Sequence, residues 1–168
     1  MRFFVIILAL PLLCLGAEKP EHRELGAHVH GVAQLNIAFD GSEGTLDLHT
    51  PAEAILGFEH IAKSSKDKKI ESEKMALLSA KMTEMVVFES KLKCVITKEN
   101  VKFERESSHS DIDADFKIHC ASSPMNSMIT FHFQKYFSGL KKVEVTILAG
   151  DLQKTADVKE DGFRFGLN

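Results

Sequence analysis

The stretch LNIAFDGSEGTLDLH, residues 35–49, predicts a β-hairpin. Every second residue of Leu35–Phe39 is apolar, which is the period of a strand with one buried face. Residues 40–44 supply the turn, because their glycines can adopt the positive φ that tight hairpin turns need. The alternation resumes over Thr45–His49. We therefore expect two adjacent antiparallel strands.

Just upstream of this hairpin, the sequence Ala27-His28-Val29-His30-Gly31 places two histidines two residues apart. If the first strand extends back to them, both lie on its polar face, since residues i and i+2 of a strand share a face. The hairpin register then directs them toward the segment that follows Thr50. A tightly held transition metal needs three or four ligands. The pair therefore predicts a metal site that a later segment must complete.

That later segment is a predicted short helix, which begins at Thr50 with a threonine N-cap, a first-turn proline and a glutamate at the third helical position. The helix leads to Gly57-Phe58-Glu59-His60. We predict His60 as the third ligand of the site. Glu59 is predicted as a further ligand or as an acceptor that orients an imidazole.

The remainder of the chain predicts one long helix followed by more strands. Apolar residues at spacings of three and four, including three methionines, give the helix a core face over Ile70–Glu89. Alternating patterns then predict strands, although residues 129–133 could also begin a helix. We expect a single α+β domain in which antiparallel strands pack against one long helix. The predicted later strands cover residues 92–96, 101–103, 114–120, 129–133 and 143–147.

Residues 1–17 combine a charged start, an apolar block and a small final residue, the pattern of a secretory signal peptide. Cleavage after Ala17 is favoured over a lipoprotein cut before Cys14, because the residue before this cysteine is bulky. We expect a flexible leader over residues 18–26 and one domain over residues 27–168. No stretch has the length that a transmembrane helix needs. The mature charge of −4 gives no reason to expect nucleic acid or direct membrane insertion.

Two cysteines remain after cleavage, Cys94 and Cys120, and a secreted pair usually forms a disulfide. Both fall at inward positions of predicted strands, which favours a bridge between neighbouring strands. They are 26 positions apart, and a bridge over a loop of this length contributes about 3–4 kcal/mol of stability.

The motifs of common enzymes are absent from this sequence. It has no Gly-x-Ser-x-Gly elbow, no phosphate-binding glycine loop and no His-Glu-x-x-His helix. We therefore expect no catalytic activity. A secreted metalloenzyme resembling copper/zinc superoxide dismutase, which also has a His-x-His pair, stays an alternative, as does a structural envelope protein with solvated histidines. We expect His22, His49 and His119 to be solvated in either case.

The order of the motifs resembles the ZrgA-type periplasmic zinc-uptake proteins, and the resemblance spans most of the mature chain. The matching segments, in order, are His28-Val29-His30-Gly31, Leu35-Asn36-Ile37-Ala38, Thr50-Pro51-Ala52, Gly57-Phe58-Glu59-His60, Cys94, Ser108-His109-Ser110-Asp111-Ile112 and Cys120.

This resemblance implies a protein that binds zinc ions in the periplasm of Gram-negative bacteria and serves an ABC-type zinc importer. It implies that the ligands are the four histidines at matching positions, His28, His30, His60 and His109. Many members have a long histidine-rich, acidic insertion before the position of His109, whereas only residues 104–108 remain here. We therefore expect close to one zinc ion per chain.

Overall fold

The structure, a computed structural model, describes residues 29–105 and 109–168. The predicted signal peptide and leader, and with them His28, lie outside the described residues. The elements in chain order are β1 (Val32–Asp40), β2 (Glu43–Pro51), α1 (Ala52–Leu56), α2 (Ser65–Met85), β3 (Val86–Phe88), a 3₁₀ turn (Ser90–Leu92), β4 (Val95–Arg105), β5 (Ser110–His119), β6 (Met128–Phe131), β7 (Lys142–Ala149), β8 (Leu152–Val158) and β9 (Phe163–Gly166).

The predicted hairpin is formed by β1 and β2, which pair antiparallel. Phe39 lies opposite Gly44, and Gln34 lies opposite His49. The apolar residues of both strands are buried while the alternate residues are exposed or partly exposed. The period-2 pattern of residues 35–49 therefore predicted the buried face correctly.

The hairpin lies at the centre of a six-stranded sheet with the order β4-β5-β2-β1-β7-β8. Strand β7 runs parallel to β1, and the other neighbouring pairs of this sheet are antiparallel. The parallel pair requires a long crossover, and residues 52–141 provide it. The prediction of antiparallel strands is confirmed except for this pair.

Helix α2 begins five residues before its predicted start, because Ser64 caps it. The Ser64 hydroxyl accepts a hydrogen bond from the Asp67 N–H, 3.0 Å away. The helix ends at Met85, before its predicted end, because Val86 starts β3. The α2 residues that face the core include Met82 and Met85, as the methionine pattern predicted. No helix in the described part of the chain has the length and apolar character that a membrane crossing requires.

One hydrophobic core lies between the inner face of the large sheet, helix α2 and a small sheet with the order β3-β6-β9. In the segment 129–133, for which a helix was the alternative, residues 129–131 belong to strand β6 and residues 132–133 follow it. The α+β prediction is confirmed, with strands providing most of the structure. The largest fully buried side chains are Phe116, Phe131, Phe133, Phe137, Leu35, Ile37, Leu46, Leu48, Leu78, Met82, Met85 and Ile112.

Cys94 and Cys120 form a disulfide, as predicted. Cys94 directly precedes β4 and Cys120 directly follows β5, so the bridge joins the two outer ends of this strand pair. Val95 and His119 lie opposite each other beside it. The bridge therefore links β4 and β5 covalently at one end of this strand pair.

Candidate metal centre

The candidate site lies at the other end of β5, where four strands begin or end together. Val32, at the start of β1, lies beside Lys142, at the start of β7. Pro51, at the end of β2, lies opposite Asp111, near the start of β5. The segments that continue from these strand ends therefore meet above one edge of the sheet.

His30 lies in a tight turn that precedes β1. The Val32 N–H donates to the Val29 carbonyl, 3.0 Å away, and Gly31 has a φ of +75°, as the third position of a type II turn requires. The Gly31 carbonyl accepts from the N–H groups of residues 141–142 at 2.8 and 3.1 Å. The prediction that the strand extends through His30 is wrong, because the chain turns at Gly31.

Glu53 is the second residue of α1, and its side chain points to His30. The prediction that Thr50 caps this helix is wrong: Thr50 belongs to β2, and its hydroxyl donates to the Pro51 carbonyl at 3.4 Å. Pro51 occupies the cap position without a side-chain hydrogen bond. Glu53 Oε2 instead lies 2.6 Å from His30 Nδ1.

Glu59 reaches the same histidine from the segment that follows α1. Gly57 ends the helix with a φ of +84°, a conformation that glycine adopts at little cost. The side chain of Glu59 then places Oε1 3.5 Å from His30 Nδ1. The backbone carbonyl of Glu59 accepts a hydrogen bond from the Ser110 hydroxyl, 3.0 Å away.

Close backbone packing holds the His30 turn against α1. A Cβ atom at Gly139 would lie 2.3 Å from the Ala54 carbonyl oxygen, and one at Gly31 would lie 2.9 Å from the Gly139 carbonyl oxygen. Any larger residue at either glycine would push these segments apart. The two glycines therefore set the distance between His30 and the helix that carries Glu53.

His30, Glu53 and Glu59 form a group whose ligand atoms all lie within 4.8 Å of one another. A zinc ion with bonds of about 2.0–2.1 Å separates neighbouring tetrahedral ligands by about 3.3 Å. The 3.5 Å between His30 Nδ1 and Glu59 Oε1 fits this spacing. The 2.6 Å between His30 Nδ1 and Glu53 Oε2 would have to increase by less than about 1 Å. The His30 side chain is 73 % exposed, so an ion can enter and leave directly from solvent.

The two carboxylates also control the charge of His30. The hydrogen bond that the protonated ring donates to Glu53, the negative charge of Glu53 and that of Glu59 together raise the pKa of His30 above its ordinary value of 6.5. A proton and a divalent cation are stabilised here by the same two carboxylates and compete for the same ring nitrogen. The group is therefore a candidate cation site, at which a metal ion would displace the proton.

Of the predicted ligands, the structure brings together His30 and Glu59. His60 turns the other way: its ring stacks on Phe58 with 4.6 Å between centroids, and its Nε2 lies 3.4 Å from Asp67 Oδ2. Asp67 belongs to the first turn of α2. In this structure His60 therefore contacts the start of α2 and lies outside the three-residue group.

His109 directly precedes Ser110, whose hydroxyl contacts the Glu59 carbonyl. This predicted ligand therefore lies at the same end of the sheet as the group, on the connection between β4 and β5. His28 lies outside the described residues. The ligand roles predicted for His28, His60 and His109 stay predictions.

Two further histidines form pairs with carboxylates on other parts of the surface. His49, which we expected to be solvated, is partly buried, and its Nδ1 lies 2.7 Å from Asp113 Oδ1, which raises the pKa of His49. His119 Nδ1 lies 2.5 Å from Glu43 Oε1 at an exposed position. Within residues 29–105 and 109–168, the group around His30 is the one set of three such side chains close enough to share an ion.

Sequence reasoning assigned Glu53 to helix capping and so missed it as a member of the group. The signal was present, because the hairpin register directed the histidine pair toward the segment after Thr50, where Glu53 is the first carboxylate. A glutamate in the first turn commonly stabilises the start of a helix. Because this role already explained Glu53, its place beside His30 was not predicted.

The chain matches the family model described as "ZrgA family zinc uptake protein" over residues 27–167. A search of curated proteins gave no match. The family match covers nearly the whole chain and confirms the resemblance inferred from the order of the motifs. The chain therefore belongs to the ZrgA family of zinc uptake proteins.

Proposed function

We propose that this protein captures zinc ions in the periplasm and supports their delivery to an ABC-type zinc importer, without catalysis. The observation that carries the proposal is the convergence of His30, Glu53 and Glu59, which come from three separate segments, on one exposed point. Membership in a family of zinc uptake proteins supports zinc as the ion.

The chemistry of the group suits reversible zinc binding. With His30 neutral, the two glutamates supply a charge of −2, which balances that of Zn²⁺. Imidazole and carboxylate are both common zinc ligands, while thiolates favour soft ions such as Cu⁺. The two described cysteines are joined to each other at the other end of β5. We propose that His28, His60 or His109 supplies the remaining ligand of a tetrahedral zinc ion.

Removal of both carboxylates tests the proposed site directly. We expect the double substitution Glu53→Gln and Glu59→Gln to lower zinc affinity at least about 100-fold, because each glutamate contributes both a ligand atom and charge. The measurement is a competition titration of the purified chain against a chromophoric chelator at pH 7.5. Glu43→Gln is the matched control, since Glu43 makes the same kind of contact with His119, and it should bind zinc as the wild type does. An unchanged affinity in the double variant would contradict the site.

Zinc binding is also expected to depend on pH. Glu53 and Glu59 raise the pKa of His30 above the ordinary value of 6.5. The zinc affinity should therefore begin to fall at a higher pH than it would for an ordinary histidine ligand. Above this pKa the ring is neutral and can bind zinc, and below it the affinity should fall about tenfold per pH unit. Titrations at pH 8, 7 and 6 measure the effect, and equal affinities at pH 8 and 6 would contradict a histidine ligand.

A further inference from the structure

Ser110 makes a contact that links the start of β5 to the candidate metal centre. Its side chain is buried, with 2 % of the residue exposed, and its hydroxyl donates to the backbone carbonyl of Glu59 at 3.0 Å. The two residues are 51 positions apart in the sequence. This hydrogen bond therefore joins two parts of the chain that no local pattern connects.

The contact matters because Glu59 lies on a segment without regular structure. Residues 57–64 connect α1 to α2 and form neither helix nor strand. Position along such a segment depends on individual contacts with neighbouring elements. Ser110 is the first residue of β5, a strand in the interior of the six-stranded sheet. Strand pairing holds Ser110 in place, and its hydroxyl restrains the Glu59 backbone through the hydrogen bond.

We propose that Ser110 is a positioning residue for zinc binding: it holds the backbone of Glu59 so that the carboxylate already faces His30 before the ion arrives. This inference rests on the proposed function. Without the hydroxyl, the segment must be ordered when zinc binds, and that ordering lowers the affinity. Outer-shell groups that orient ligands typically affect metal affinity 10- to 100-fold.

The experiment compares Ser110→Ala with Ser110→Thr, which keeps a hydroxyl, by zinc competition titration. We expect the alanine variant to bind about tenfold more weakly and the threonine variant to bind nearly as the wild type does. Ser79→Ala is the matched control, because the Ser79 hydroxyl also donates to a backbone carbonyl, that of Met75 at 3.0 Å, but within α2. It should bind zinc as the wild type does and remain at least as stable, because alanine is favourable in a helix interior. If Ser110→Ala does not fold, Ser110→Val, which has the shape of threonine without the hydroxyl, provides the comparison with Ser110→Thr.

A double-mutant cycle with Glu59→Gln separates positioning from a general structural role. If Ser110 acts through Glu59, Ser110→Ala should weaken binding much less when Glu59 has already been replaced. An equal loss in both backgrounds, or wild-type affinity in Ser110→Ala, would overturn the proposal. If Glu59→Gln itself binds zinc as the wild type does, the ligand role of Glu59 fails, and the role of Ser110 fails with it.

Discussion

Replacing His30 with alanine is expected to lower zinc affinity at least about 100-fold at pH 7.5. His30 is the residue that both glutamates face, with its Nδ1 2.6 Å from Glu53 Oε2 and 3.5 Å from Glu59 Oε1. Without the imidazole, two carboxylates remain, and they repel each other with no nitrogen ligand between them. A competition titration against a chelator of known affinity measures the loss.

His119→Ala is the matched control for this experiment. His119 is similarly exposed and contacts Glu43 at 2.5 Å, but no second carboxylate joins this pair within the described structure to form a three-residue group. The control should retain wild-type zinc affinity. Equal losses in the two variants would mean that zinc binds exposed histidines in general, and the proposed centre would have to be abandoned.

Replacing both Cys94 and Cys120 with serine is expected to lower the free energy of unfolding by about 3–4 kcal/mol. The bridge joins residues 26 positions apart, so its removal gives the unfolded chain more conformations. Urea denaturation monitored by circular dichroism measures the change through a lower midpoint. A decrease of less than about 1 kcal/mol in the free energy of unfolding would show that the disulfide does not restrict the unfolded chain as expected.

The same variant should still bind zinc with nearly wild-type affinity at a temperature where it is folded. Ser110 begins β5 and Cys120 follows its last residue, and a strand of this length spans about 33 Å. The disulfide and the candidate metal centre therefore lie at opposite ends of the strand. An affinity loss of more than about tenfold in the folded variant would show that the two ends are coupled.

Local patterns predicted the long helix and most of the strands, but they missed β8 and β9 and did not show how the strands are arranged. The alternation in β1, β2 and β7 specified buried faces that the structure confirms. The parallel pairing of β1 with β7 joins segments about 110 residues apart, and no local pattern encodes such a contact. Strand β3 fell inside the predicted helix, because its run of apolar residues fits a helix and a strand equally well.

For the metal centre, the sequence predicted two of the three residues that converge. His30 and Glu59 followed from the hairpin register and from the helix after Thr50. His60 was predicted beside Glu59, yet its ring faces Asp67 while Glu59 faces His30. The positions of Ser110 and Gly139 depend on contacts with distant segments. Local sequence patterns do not encode contacts between segments so far apart in the chain.

The most direct test of the account is a crystal structure of the zinc-loaded chain with anomalous diffraction measured on both sides of the zinc absorption edge. We predict an anomalous peak about 2.0–2.2 Å from His30 Nδ1 and from one oxygen each of Glu53 and Glu59. Additional ligands from His28, His60 or His109 would extend this centre. A principal zinc peak with none of His30, Glu53 and Glu59 as a ligand would contradict the account.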